Sequence, residues 1–148
     1  IVVLGDNISN FVDEKTGNSQ SGILETGDIG YLDEENFLWL SGRNQDIIKR
    51  AGYRISPYEI EDAILKIYPN LQVCVIGVQH DLLGQDIVAF ASREEDELSA
   101  RDIIKELKFN LASYKIPSEI IFLDDIPLIG VGKVDKVKLK ALYKSMFS

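Results

Sequence analysis

Three positions along the chain could do chemistry on an anionic substrate. Asp28 follows Thr26 and Gly27, and an ionised carboxylate at a glycine turn can accept both hydroxyls of a ribose. It can equally cap local backbone N–H groups at a strand entry, and the tripeptide alone leaves both readings open. Arg43, after Gly42, can pair with a phosphate or ribose, or sit in an ordinary surface ion pair. Lys133 stands behind Gly130-Val131-Gly132, where a glycine-flanked loop can deliver its ammonium to a phosphate as a point charge or leave it solvated. This is no Walker A loop, since the glycine spacing is wrong and Val134 takes the place of the Ser/Thr that reaches Mg²⁺.

Other chemistries find little support. His80 is the only histidine and has no cysteine near it in sequence, so a surface role is expected rather than a metal site. One His placed this way builds no Ser-His-Asp or Cys-His arrangement. Cys74, the only cysteine, sits inside an apolar run and is expected to act as a small buried hydrophobe. It also cannot form an intramolecular disulfide, which points to a reducing compartment, the cytoplasm. Trp39 and the tyrosines are expected to serve packing.

The elements that must position these residues follow from patterning. Ile1–Leu4 reads as a short strand, Gly5–Gly22 as a turn-rich loop, and Asp28–Asp33 with Phe37–Ser41 as a hairpin across Glu34-Glu35-Asn36. These strands are too few to close a sheet, so their pairing partners are expected outside the chain. Ser56-Pro57-Tyr58-Glu59 predicts a capping box, behind which Ile60, Ala63, Ile64 and Ile67 form a helical stripe stopped by Pro69. Leu71–Val78 and Asp86–Ala91 read as strands covered on both faces. A second helix starts at Ser99 and ends before Pro117, with Ile104, Leu107 and Leu111 on one stripe. Glu119–Leu123 is a third strand, Asp124–Gly132 a loop, and a last helix runs from about Asp135.

The expected fold is therefore α+β: a small domain with a mixed three-stranded sheet flanked by helices over residues 44–148, preceded over residues 1–43 by an incomplete β piece. Of 148 residues, 45% are apolar and 27% charged, a globular composition long enough to bury roughly two-thirds of its unfolded surface. A net charge of −8 argues against a nucleic-acid partner, and no apolar run approaches the roughly 20 residues of a membrane span. Met146 is the only methionine, so the chain is expected to be a piece of a larger protein.

Each motif is weak alone; their order is not. Thr26-Gly27-Asp28-Ile29-Gly30-Tyr31, Gly42-Arg43 before Ile47-Ile48-Lys49, Gly52-Tyr53-Arg54-Ile55 running into Glu59-Ile60-Glu61, Leu111 to Pro117, and Ile126-Pro127 with Gly132-Lys133-Val134-Asp135 resemble the C-terminal part of the AMP-forming adenylating enzymes. That superfamily comprises acyl-CoA synthetases, adenylation domains and beetle luciferases, and the resemblance spans almost the whole chain. It implies an edge of the large N-terminal domain followed by the complete mobile C-terminal domain. Asp28 would then hold the ribose of ATP and AMP with Arg43 assisting, and Lys133 would meet the carboxylate and α-phosphate during adenylation. Gly52, Tyr53 and Arg54 would line the pantetheine channel. ATP and Mg²⁺ would be bound mainly by the absent N-terminal domain, and CoA would be the acceptor. The hinge would fall at Gln45 and Asp46, where the family more often has Asp or Lys at the first position; Val131 also replaces a more usual small polar residue. The implied activity is an acyl-CoA synthetase acting on a fatty or other carboxylic acid, inactive as this fragment alone. The alternatives are an adenylation domain loading a carrier protein, or a non-catalytic module of the same fold.

Overall fold

In the computed structural model, residues 1–4, 11–12, 19–20, 23–92, 98–130 and 132–147 are described. The expected loop Gly5–Gly22 lies largely outside these residues, as does Val131. The chain divides into two compact units, Ile1–Gln45 and Asp46–Ser148.

The first unit consists of two-stranded antiparallel ribbons. β1 (Val2–Leu4) pairs with β4 (Ile23–Glu25), and β2 (Phe11–Val12) pairs with β3 (Ser19–Gln20). β5 (Asp28–Leu32) pairs with β6 (Leu38–Arg43), with an irregularity at Ile29/Gly30. The connecting turn is organised by Asp33, whose Oδ1 accepts from the Glu35 and Phe37 N–H groups and whose Oδ2 accepts from the Trp39 indole at 2.6 Å. Those donors hold the Asp33 carboxyl below the usual carboxylate range, the Trp39 indole foremost. Phe37 thereby belongs to the turn rather than to the strand expected of it. Trp39 is 55% exposed and not the packed residue the composition suggested.

The second unit is the expected α+β domain. The three strands read from the sequence are β9 (Val73–His80), β10 (Gly84–Ser92) and β11 (Glu119–Leu123); β9 runs antiparallel to β10 and β11 parallel to it. The sheet gains a hairpin, β7 (Ile48–Arg50) and β8 (Tyr53–Ile55), which joins β10 at Gly84↔Arg50 and brings it to five strands. Three helices complete the unit, α1 (Pro57–Ile67), α2 (Ala100–Asn110) and α3 (Lys136–Met146). Between them the expected loop of Asp124–Gly132 opens into a small hairpin of β12 (Leu128–Ile129) and β13 (Lys133–Val134).

Alternation along β9 and β10 explains why both read as continuous apolar runs. Val75, Ile87, Ala89 and Ala91 face one way, into a core with Ile60 and Ile64 of α1 and Ile103 and Leu107 of α2. Cys74, Ile76, Val88 and Phe90 face the other way, against Ile126 and Leu139 of α3. A sheet covered on both faces needs apolar residues at every position.

Helix starts differ from expectation in one place. Ser56 occupies the N-cap with Pro57 behind it, but its side chain makes no cap hydrogen bond. Glu59, the expected reciprocal partner, is paired with Lys115 instead. The capping box forms at α2, where Ser99 and Asp102 satisfy each other's backbone N–H. α2 stops at Asn110, and Ser113–Lys115 makes a separate short turn before Pro117.

Candidate functional site

In the first unit, Asp28 and Arg43 are cross-strand partners at the open end of the β5–β6 ribbon. The Arg43 Nε donates to Asp28 Oδ1 at 3.0 Å. Thr26 Oγ1 accepts from the Asp28 N–H at 3.1 Å, and the Asn44 N–H reaches the Gly27 carbonyl at 2.9 Å, so both flanks of the pair are tied down. Oδ2 of Asp28 and the guanidinium NH groups of Arg43, which is 59% exposed, make no further hydrogen bond among the described residues and can take a hydroxyl or a phosphate oxygen.

In the second unit, the β7–β8 turn places Ala51 at φ 48° and Gly52 at φ 85°. Two successive positive φ values in a two-residue loop are the geometry of a type I′ turn, which matches the strand twist and favours glycine. Tyr53 leaves this turn stacked on Tyr114, with ring centroids 4.1 Å apart and 12° between planes. Arg50 locks the arrangement. Its guanidinium donates to the Tyr114 and Ile116 carbonyls at 3.1 and 2.9 Å and pairs with Asp86 at 3.0 Å. Arg54 is exposed on β8 opposite Lys49. Arg50 and Tyr114 escaped sequence reasoning; the signal was present in Tyr114-Lys115 preceding Pro117, but only the fold brings that turn against Arg50.

Lys133 opens β13, opposite Ile129, directly behind Gly132 at φ 89°. Its side chain is exposed and finds no partner among the described residues. Next to it, Asp135 caps α3 by accepting from the Lys138 N–H at 2.9 Å, and its own N–H bonds to the Pro127 carbonyl at 2.8 Å. The lysine is thus unpartnered at its tip among the described residues and held at its base.

Gln45 and Asp46 lie in a short 3₁₀ turn, Asn44–Asp46. Gln45 is exposed, whereas Asp46 is held by Lys136 at 2.6 Å. Around that pair sit Glu61 and Cys74. Burial raises the Glu61 carboxyl above its usual range, opposed by the Val75 N–H and the charge of Lys136. Burial also pushes the Cys74 thiol up to about 12, with Glu61 adding to it, so the thiol stays protonated as a small hydrophobe should. His80 is the last residue of β9, and its Nδ1 accepts from the Leu82 and Leu83 N–H groups of the following turn. Among the described residues no group of three or more His, Cys, Asp or Glu could hold a metal ion, and no helix is long and apolar enough to cross a membrane.

A small α+β domain with a lysine on a glycine-flanked hairpin defines a class. Residues 59–133 match the AMP-binding enzyme C-terminal domain family, and the chain belongs to it. It is 36% identical over 150 residues to a 2-succinylbenzoate–CoA ligase of Bacillus cereus, covering 99% of this chain and 31% of the relative. It is 38% identical over 119 residues to the probable CoA ligase CCL9 of Humulus lupulus, covering 79% of this chain and 22% of that protein. The fold resembles ATP-bound MatB from Rhodopseudomonas palustris with a TM-score of 0.77 at 32% identity, over 86% of this chain and 25% of the other. The chain therefore spans about a quarter to a third of the length of the relatives it matches.

Proposed function

We propose that this chain forms the C-terminal part of an ATP-dependent, AMP-forming ligase that activates a carboxylic acid as acyl-adenylate and transfers it to CoA. The observation that carries the reading is membership of the AMP-binding C-terminal family, with curated relatives named as CoA ligases. Those names also favour CoA over a carrier protein as acceptor. They span acids as different as 2-succinylbenzoate and oxalate, so the substrate proposed here is a carboxylic acid, with a fatty acid as one member of the class. The cytoplasm is the proposed compartment, supported by the single unpaired, buried Cys74. The remaining length of the protein is proposed to bind the acid, most of ATP and Mg²⁺. The described residues offer no ligand set of three or more His, Cys, Asp or Glu for that metal.

Attack of a carboxylate on an α-phosphate brings two anions together. A cation aimed at the developing charge stabilises the transition state more than either ground state. Lys133 suits this role: it is exposed, without a described partner, and seated on a hairpin whose base is pinned by Asp135. Asp28 would accept the ribose hydroxyls, with Arg43 holding it in place and meeting phosphate. In the second step a thiol must reach the acyl carbonyl, and the Gly52 turn with Tyr53 and Arg54 would line its approach. We assign the segment 43–46 as the joint about which residues 46–148 turn between the two steps, as such small domains can on short hinges.

Single-turnover kinetics of each half-reaction in the full-length protein test this. Lys133→Ala should slow acyl-adenylate formation by about 10²–10³, the loss expected for one electrostatic contact at developing charge. Thioester formation from preformed adenylate should change little. Gly52→Trp should do the reverse, since a side chain there is strained at φ 85° and projects into otherwise open space. Equal slowing of both steps by Lys133→Ala would defeat the reading.

A further inference from the structure

Lys136, the first residue of α3, follows Lys133 by three positions yet reaches across 90 residues of sequence to Asp46. The Nζ–Oδ2 distance is 2.6 Å, and the two side chains are only 30% and 26% exposed. Burial disfavours the ammonium, but the hydrogen bond and charge of Asp46 outweigh it and lift the Lys136 pKa above the usual lysine range. Tyr58 of α1 presents its ring 5.7 Å from the same ammonium. Glu61, one turn further along α1, adds its charge and spends its Oε1 on the Val75 N–H at 2.8 Å. That N–H lies on the outer side of β9, because alternate residues of β9 pair with β10 and the Gln72–Ser92 hydrogen bond places Val75 out of phase with them. One ammonium thus ties together the first residue of the second unit, the first helix and the start of the last helix.

A pair that connects the end of a joint to the base of the Lys133 hairpin has a mechanical consequence. Beyond Asp46 the backbone enters the core through Ile48, which is 1% exposed. On the other side, Lys136 is joined to Lys133 through Val134 and the capping residue Asp135. A displacement of Asp46 is therefore handed to the Lys133 hairpin through one charge-assisted bond rather than through the whole sheet. We propose that Lys136 is a positioning residue: by clamping Asp46 it ends the flexible segment at residue 45 and sets where Lys133 arrives in the adenylating step. The proposal rests on the role assigned to Lys133 above.

The test compares Lys136→Met, Lys136→Arg, Asp46→Asn and the double variant Lys136→Met/Asp46→Asn in the full-length protein. Lys136→Met should lower the rate constant of acyl-adenylate formation on the order of 10-fold, short of the roughly 10²-fold that a 1 Å misplacement can cost. KM for ATP and the thioester step should stay near wild type. Lys136→Arg should recover the adenylation rate, and the double variant should fall no lower than the worse single one, as coupled partners do. Asp46→Asn preserves volume and carries the same test should Lys136→Met not fold. Equal losses in both half-reactions, additive losses, or wild-type kinetics in Lys136→Met would overturn the proposal. If Lys133→Ala itself spares adenylation, the reading of Lys133 fails. Amide exchange at Leu128–Ile129 and Lys133–Val134 then still decides for Lys136: faster exchange in Lys136→Met supports the clamp, and unchanged exchange overturns it.

Discussion

The two units solve the same problem, burying apolar side chains, in opposite ways. In Asp46–Ser148 the sheet is covered on both faces, and Phe90, Ile87, Ile103, Leu107 and Leu139 are all fully buried. In Ile1–Gln45 no described residue is buried, although Val2, Leu4, Tyr31, Leu32, Leu38, Trp39 and Leu40 are large and apolar. Two-stranded ribbons have no second layer to pack on and are marginal in water by themselves. The contrast teaches that the second unit has a two-sided core of its own, while the described residues of the first leave their large apolar side chains exposed. The chain spans about a quarter to a third of the length of the relatives it matches.

The sharpest way to break this contrast is a pair of truncations. Phe90→Ala should cost about 3–5 kcal/mol through lost burial and a residual cavity, whereas Trp39→Ala in the same chain should cost under about 1 kcal/mol. Denaturant unfolding of the 148-residue chain reads both, and comparable losses would mean the first unit has a core of its own.

Next in size is Arg50→Met. It strands Asp86, whose side chain is 14% exposed, and frees the Tyr114 and Ile116 carbonyls. Stability should drop by about 2 kcal/mol, below the 3–5 of a wholly buried pair because water reaches the edge of this one. Tyr53 should also lose its fixed stacking on Tyr114, visible as a changed near-ultraviolet circular dichroism signal. An unaltered signal would show that the turn is held by its own I′ geometry.

A smaller effect is expected from pH. Unfolded, Glu61 titrates at its ordinary 4.5; folded, burial makes it hold its proton to higher pH. Folding therefore takes up a proton between those two values, and this residue's contribution to stability falls as pH rises from 4.5 through the folded value. Glu61→Gln keeps an oxygen for the Val75 N–H but has no proton to exchange, so its stability should vary less with pH over that window. A steeper dependence in the variant would put the titration elsewhere.

The smallest structural effect belongs to the first unit. Arg43→Ala should alter the stability of the chain by less than about 1 kcal/mol, as exposed ion pairs do. In the full-length protein it should nonetheless weaken nucleotide binding by roughly 10-fold, the scale of one hydrogen bond to a charged group. Calorimetric titration with ATP separates the two. Unchanged affinity would leave Arg43 as no more than the partner of Asp28.

Much of the second unit was legible because its signals are local. Proline at the first turn of α1, the serine that opens α2 and the continuous apolar run of β10 each act within a few residues, and each element formed near its expected place. Legibility failed where a long-range charge outbid a local one. Glu59 has the spacing for a capping box but turns to Lys115, 56 residues away. Trp39 has the side chain of a core residue, yet its ribbon offers nothing to pack on, and its indole goes to Asp33.

The site divides along the same line. Sequence by itself determined the residue types and their order: a carboxylate at a glycine turn, an arginine after glycine, a lysine behind two glycines. Glycine's access to positive φ, seen at Gly52 and Gly132, is a property of the residue and needs no tertiary context. Only the tertiary structure decided which charges meet. Arg43 faces Asp28 because β5 and β6 pair in that register, Arg50 reaches Asp86 because β7 joins β10, and Lys136 meets Asp46 because α3 covers the sheet beside the start of β7. The first spans 15 residues and is set by the register of a single hairpin. The other two join partners much further apart, and such contacts are set by how strands and layers pack, which no local spacing encodes.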